Sequence, residues 1–158
     1  MPSHPAVDIV EAALRAGGAT GEIRWLDERA RTAVEAADAL GIAVGAIANS
    51  LVFTLDDVPL LVMTSGSHRV DTVWLGDRLG GVIKRADAEL VKKATGQVIG
   101  GVAPLGHPTR LRTIVDTRLA DHPVVWAAAG HAHTVFPTTF DELVRLTGGT
   151  PGEVESSR

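Results

Sequence analysis

The spacing of apolar residues changes several times along this chain, and each change marks a short element. Val7, Val10, Ala13 and Leu14 fall on one helical stripe, which predicts a helix from Val7 to Arg15 ended by Gly17-Gly18. Thr32-Ala33-Val34-Glu35 has the form of a capping box, opening a helix through Ala36, Ala37 and Leu40 to Gly41. Ser50 to Leu55 and Pro59 to Thr64 are rich in Leu, Val and Phe. With Asp56-Asp57-Val58 as the turn, they predict an antiparallel hairpin. Val70, Val73, Trp74 and Leu79 form the stripe of a helix closed by Gly80-Gly81. Asp87 caps a shorter helix through Leu90, Val91 and Ala94, with Gly96 just past its end. Gln97 to Gly100, Arg112 to Val115, Val124 to Ala128 and His133 to Phe136 read as further short strands. A second capping box, Thr139 to Glu142, starts a helix that buries Leu143, Val144 and Leu146 and stops at Gly148-Gly149. Thr150 to Arg158 reads as a frayed polar tail. Helix and strand alternate, but the central hairpin excludes a purely parallel sheet, so the expected class is α/β or α+β with a mixed sheet.

Composition narrows the picture. The chain has 158 residues, 45% hydrophobic and 22% charged, as in one ordinary globular domain spanning residues 1–158. No apolar run approaches the roughly 18 residues of a membrane span. Met1-Pro2-Ser3-His4-Pro5 lacks the start of a signal peptide, so a soluble cytosolic protein is expected. Cysteine is absent, which removes thiol nucleophiles and zinc-thiolate sites. With 15 Lys and Arg against 19 Asp and Glu, the formal charge is −4. Wrapping of DNA or RNA is therefore not expected, while a small basic patch gripping the end of a nucleic acid remains open.

The densest glycine cluster is Ile99-Gly100-Gly101-Val102-Ala103-Pro104-Leu105-Gly106-His107. Its glycines let the backbone approach a ligand and aim amide donors at it, although a tight turn needs the same residues. It matches neither a Walker loop nor the Gly-x-Gly-x-x-Gly of dinucleotide folds. On an extended segment His131 and His133 would share a face and suit a metal, with His107 or Asp116 as a third ligand. Asp56-Asp57 reads as a solvated turn and Asp116 as the cap of a turn. Without a Gly-x-Ser-x-Gly elbow, Ser50 and Ser65 are weak nucleophile candidates. His68-Arg69, Lys84-Arg85, Lys92-Lys93 and Arg110 with Arg112 are the basic candidates, each more often a solvated face than a patch.

Several segments together carry a resemblance. Ala48-Asn49-Ser50-Leu51-Val52-Phe53, Ser67-His68-Arg69-Val70-Asp71 and Thr95-Gly96-Gln97-Val98-Ile99-Gly100-Gly101-Val102-Ala103-Pro104-Leu105-Gly106 occur in order. Val115-Asp116, Ala128-Ala129-Gly130 and Leu143-Val144-Arg145-Leu146-Thr147-Gly148-Gly149 follow them. This resembles the YbaK family of prolyl-tRNA synthetase-associated editing domains, over about Thr32 to Gly149. The resemblance implies a mixed, barrel-like β-sheet surrounded by helices, and a free-standing protein. It also implies hydrolysis of the ester joining a wrong amino acid to a tRNA, usually a proline tRNA. Mischarged tRNA, gripped at its acceptor end, and prolyl-tRNA synthetase are the implied partners; no cofactor, metal, membrane or DNA is implied. The family's Gly-x-x-x-Pro loop maps to Gly100 through Pro104: the resemblance implies that amides of this loop hold the scissile carbonyl or the attacking water, with Gly100, Gly101 and Ala103 contributing the cradle and Pro104 its rigidity. Asn49 and Ser50 would contact the aminoacyl-adenosine, and His68, Gly130 and His131 would line the pocket. One departure stands out: many members have a lysine where this chain has Asn49, which carries no charge. That departure keeps a second class open, a paralogue that binds an aminoacyl-adenosine, a tRNA end or a synthetase without hydrolysis. A metal-dependent hydrolase built on His131 and His133 is a third.

Overall fold

The computed structural model describes residues 4–27 and 32–155. Helix α1 (Pro5–Ala16) has proline in its first turn and buries Val7, Val10 and Leu14, as their spacing requires. After β1 (Arg24–Trp25), α2 (Ala33–Leu40) opens on the expected capping box. Thr32 Oγ1 accepts from the Glu35 amide, and Glu35 Oε1 accepts from the Thr32 amide, both at 3.1 Å.

The hairpin of β2 (Ile47–Leu55) and β3 (Val58–Ser65) turns on Asp56 and Asp57 alone, and Val58 belongs to the strand. Both aspartates are left-handed, at φ 48° and 68°, the conformation a two-residue turn needs to match the strand twist. Asp56 also has a partner beyond water: its Oδ1 accepts from the Val82 amide at 2.9 Å. Helix α3 (Thr72–Leu79), capped by Asp71, presents a face different from the expected stripe. Because it starts at Thr72, Leu75 and Gly76 turn inward, and Val73 is left 75% exposed.

Next come β4 (Ile83–Arg85), α4 (Ala88–Thr95), β5 (Arg112–Asp116), β6 (Val125–Ala128), β7 (Thr134–Thr138), α5 (Phe140–Thr147) and β8 (Thr150–Gly152). They build one eight-stranded sheet in the order β1-β7-β6-β2-β3-β5-β8, with β4 also paired to β2. The β2–β6, β3–β5 and β5–β8 ladders are parallel and the others antiparallel, so the sheet is mixed, in an α+β fold.

Alternation along β3 separates two cores. Leu61 and Met63 join Val10 and Leu14 of α1, Val91 of α4 and Leu143 of α5 in the larger one. Leu60 and Val62 join Phe53, Ile114 and Leu75 of α3 in the smaller.

Two expectations are corrected here. Gln97 to Gly100 is a turn rather than a strand, because the Gln97 side chain is pulled inside while Val98 and Ile99 stay exposed. The segment after α5 is not frayed through Glu155: β8 pairs with β5, and Val154 is fully buried in the smaller core. The last three positions of that expected tail lie outside the described residues.

Candidate active site

The site begins with a gap in the sheet. On the edge of β2 opposite β3, β6 pairs with Ile47 and Ala48, and β4 pairs with Phe53 to Leu55. Among the described residues, 49–52 have no strand partner on that edge. A cavity of about 420 Å³ opens there, lined by Asn49, Ser50, Val52, Arg85, Val91, Gly100 and Val102 among others. A smaller adjoining recess shares Asn49, Ser50, Gly100 and Val102 and reaches Ala132. Strand alternation sends Asn49 and Ser50 to opposite faces, and the open edge is what lets both reach the cavity. Ser50 is partly engaged, with its hydroxyl 3.1 Å from Met63 Sδ.

The glycine loop is held from inside by Gln97, which is 2% exposed. Its Oε1 accepts from the Ala103 amide at 2.7 Å, and its Nε2 donates to the Leu105 carbonyl at 3.3 Å. His107 Nε2 lies 2.8 Å from the Ala103 carbonyl, an acceptor only, so Nε2 carries the proton. Burial lowers the His107 pKa from its ordinary value, against the smaller raising effect of that bond. The Gly101 amide donates to Val98 at 3.0 Å, and its carbonyl accepts from the Gly130 amide at 2.9 Å. The Gly101 and Ala103 amides are thus occupied within the loop. Among the described residues, those of Gly100 and Val102 have no partner, and both residues line the cavity. Pro104 follows the buried Ala103 and does not line it.

Glycine at 101 is a packing requirement, since a Cβ there would collide with backbone atoms of His131 and Ala132. The two histidines sit in the turn between β6 and β7, not on a strand, because β7 starts at Thr134. His131 Nδ1 accepts from the His133 amide at 3.1 Å. The His131 ring packs 5.0 Å from those of His4 and Trp25 and 5.2 Å from that of His133. Burial first, then the His4 and His133 charges, hold its pKa below the ordinary value. Among the described residues no three His, Asp or Glu are grouped to hold a metal ion. Of the candidate third ligands, His107 is bonded to Ala103 and Asp116 is buried in a different cluster.

That cluster contains His68, which does not line the cavity beside Asn49. His68 Nδ1 lies 2.9 Å from Asp116 Oδ2, which also accepts from the Ser65 amide at 2.9 Å. Asp116 Oδ1 accepts from the Arg118 amide at 3.0 Å, so it caps a turn as expected. Sequence reasoning passed over Gln97, and it read Arg85 as part of a solvated basic pair although Arg85 lines the cavity. Gln97 could have been suspected, since a polar residue directly after the Gly96 that ends α4 can fold back on the loop it introduces.

A family model described as an aminoacyl-tRNA editing domain matches residues 27–146. A solved structure described as a candidate trans-editing enzyme for prolyl tRNA synthetase is 36% identical, with a TM-score of 0.93, covering 99% of this chain and all of that one. The proline–tRNA ligase of Ligilactobacillus salivarius is 32% identical over 88 residues, 55% of this chain. The match spans only 15% of that ligase. The protein YwhH of Bacillus subtilis is 25% identical over 123 residues, 77% of this chain and 78% of that protein.

Proposed function

Because the chain belongs to the family of aminoacyl-tRNA editing domains, we propose that it acts in trans to hydrolyse the ester of a mischarged tRNA, a proline tRNA carrying a small non-cognate amino acid. The observation that carries this reading is the pair of unpartnered amides of Gly100 and Val102, two residues that line a cavity at the open edge of β2. Ester hydrolysis needs donors fixed where negative charge develops, and backbone amides provide them without a nucleophilic side chain. Water adds to the ester carbonyl, and the two amides hold the resulting oxyanion. The carbon–oxygen bond to the ribose then breaks, and the water's proton ends on the departing ribose oxygen. Gly101, Ala103 and Pro104 shape the loop, Asn49 and Ser50 contact the aminoacyl-adenosine, and Gly130 and His131 hold the loop from behind. His68 acts with Asp116 as a support beneath the strand ends. Editing suits small side chains, which one binding step separates by only about 10–200-fold.

The test is deacylation of proline tRNA charged with Ala, Cys, Ser, Thr or 2-aminobutyrate, with Pro as the control. The expected result is rapid loss of one non-cognate amino acid with Pro spared. Hydrolysis no faster than in buffer for every member would remove the reading. Binding without hydrolysis is favoured by one observation, the uncharged Asn49 at the cavity wall. An inert wild type that gains hydrolysis as Asn49→Lys would establish it.

A further inference from the structure

Among the residues that line the cavity beside Asn49, Arg85 alone is ionisable. It stands on β4, held by the ladder directly opposite Phe53 of β2, so strand geometry fixes its backbone. Its neighbour Lys84 pairs with Thr54 and faces the other side. Among the described residues Arg85 has no hydrogen bond and no ion pair. The carboxylate next to it in sequence, Asp87, is spent on capping α4, with Oδ1 accepting from the Leu90 amide at 2.8 Å. The stretch from Ile83 to Gly96 carries four cationic side chains against two carboxylates, in a chain whose net charge is −4. A free guanidinium therefore faces a recess that contains no carboxylate.

We propose that Arg85 binds a phosphodiester at the 3′ end of the RNA whose terminal ester enters this cavity, and that it supplies the positive charge that position 49 lacks. The proposal rests on the editing reading for the identity of the ligand. The chemistry fits because one ribose carries both groups, the aminoacyl ester on its 2′ or 3′ oxygen and the phosphodiester on its 5′ carbon. Gly100, Val102 and Arg85 line the same cavity, so the ester and the phosphodiester of one nucleotide would meet them together. A guanidinium offers a planar fork of donors that matches two phosphate oxygens, which a point charge does not.

The experiment measures binding of the full chain to an uncharged acceptor-stem RNA ending in CCA. The last three linkages are replaced one at a time by a neutral methylphosphonate. In wild type, one replacement is expected to weaken binding about tenfold, the order of a single charge-assisted contact. Arg85→Gln is expected to bind the unmodified RNA about tenfold more weakly and to lose that discrimination. Its log–log salt dependence should fall by about 0.7, the value for one phosphate of a single strand. Arg85→Lys should recover the salt dependence and part of the affinity. Arg85 is exposed, and equal melting temperatures would show that the variants fold.

Failure of wild type to bind the RNA overturns the proposal. So does discrimination that persists undiminished in Arg85→Gln. If Arg85→Gln loses discrimination but wild type does not hydrolyse mischarged tRNA, the inference stands and the deacylase reading falls. Hydrolysis by a chain that shows no discrimination does the reverse.

Discussion

Gln97 shows how one side chain can set a loop. It satisfies the Ala103 amide and the Leu105 carbonyl from a fully enclosed position, so the loop that lines the cavity depends on a residue that does not line it. Gln97→Met keeps the volume and removes both bonds. We expect a loss of about 2–4 kcal/mol in denaturant unfolding, the cost of two unsatisfied buried groups. A loss under 1 kcal/mol would show that water replaces the amide. His107 and His131 make a prediction about pH. Both have folded pKa values below the ordinary 6.5, so between the two values the unfolded chain binds more protons. Their contribution to stability is full above about 6.5 and is lost as pH falls through the folded values. The melting temperature should therefore drop on acidification from pH 7 to pH 5, and His107→Gln should flatten part of that slope. An unchanged slope in the variant would remove His107 from the account.

At the scale of elements, the sequence was legible wherever a segment carries its own instructions. The capping box at Thr32, the Asp87 and Thr139 caps and the glycine stops required only local chemistry, and the corresponding helices form where expected. Strands β1, β4 and β8 have two or three residues each and were invisible, because their pairing is dictated by partners far away in sequence. Gln97 to Gly100 was misread for the converse reason, an apolar pair whose neighbouring glutamine folds inward. The glycine loop was legible as a candidate site from its composition, while the choice of which amides stay free depends on Gln97 and the Gly130 turn.

Two predictions belong at this scale. Asp57→Gly, at φ 68°, should raise stability by about 0.5 kcal/mol, and Asp57→Val should lower it by at least about 1 kcal/mol, read from melting temperature. Gly101→Ala forces the loop off the His131 turn. It should cut deacylation at least about tenfold by misplacing the neighbouring donors. Full activity in this variant would show that the loop shifts without consequence.

Across the whole molecule, the mixed sheet carries a core on each face, and the chain's last described segment completes the smaller one. Val154→Ala should cost about 2 kcal/mol in thermal or denaturant unfolding, as removal of two buried methyl groups predicts. A value near zero would mean that α3 is supported without it. The break between β6 and β4 also bears on self-association. Unpaired strand edges are templates for neighbouring copies, and long ones drive aggregation. Along this edge of β2 the unpaired stretch among the described residues is 49–52, about 13 Å of strand at 3.3 Å per residue. That is too short to zip a second chain into place, yet long enough to border the cavity. β4 thus covers the rest of that edge, and loosening it would lengthen the unpaired stretch from four residues to seven.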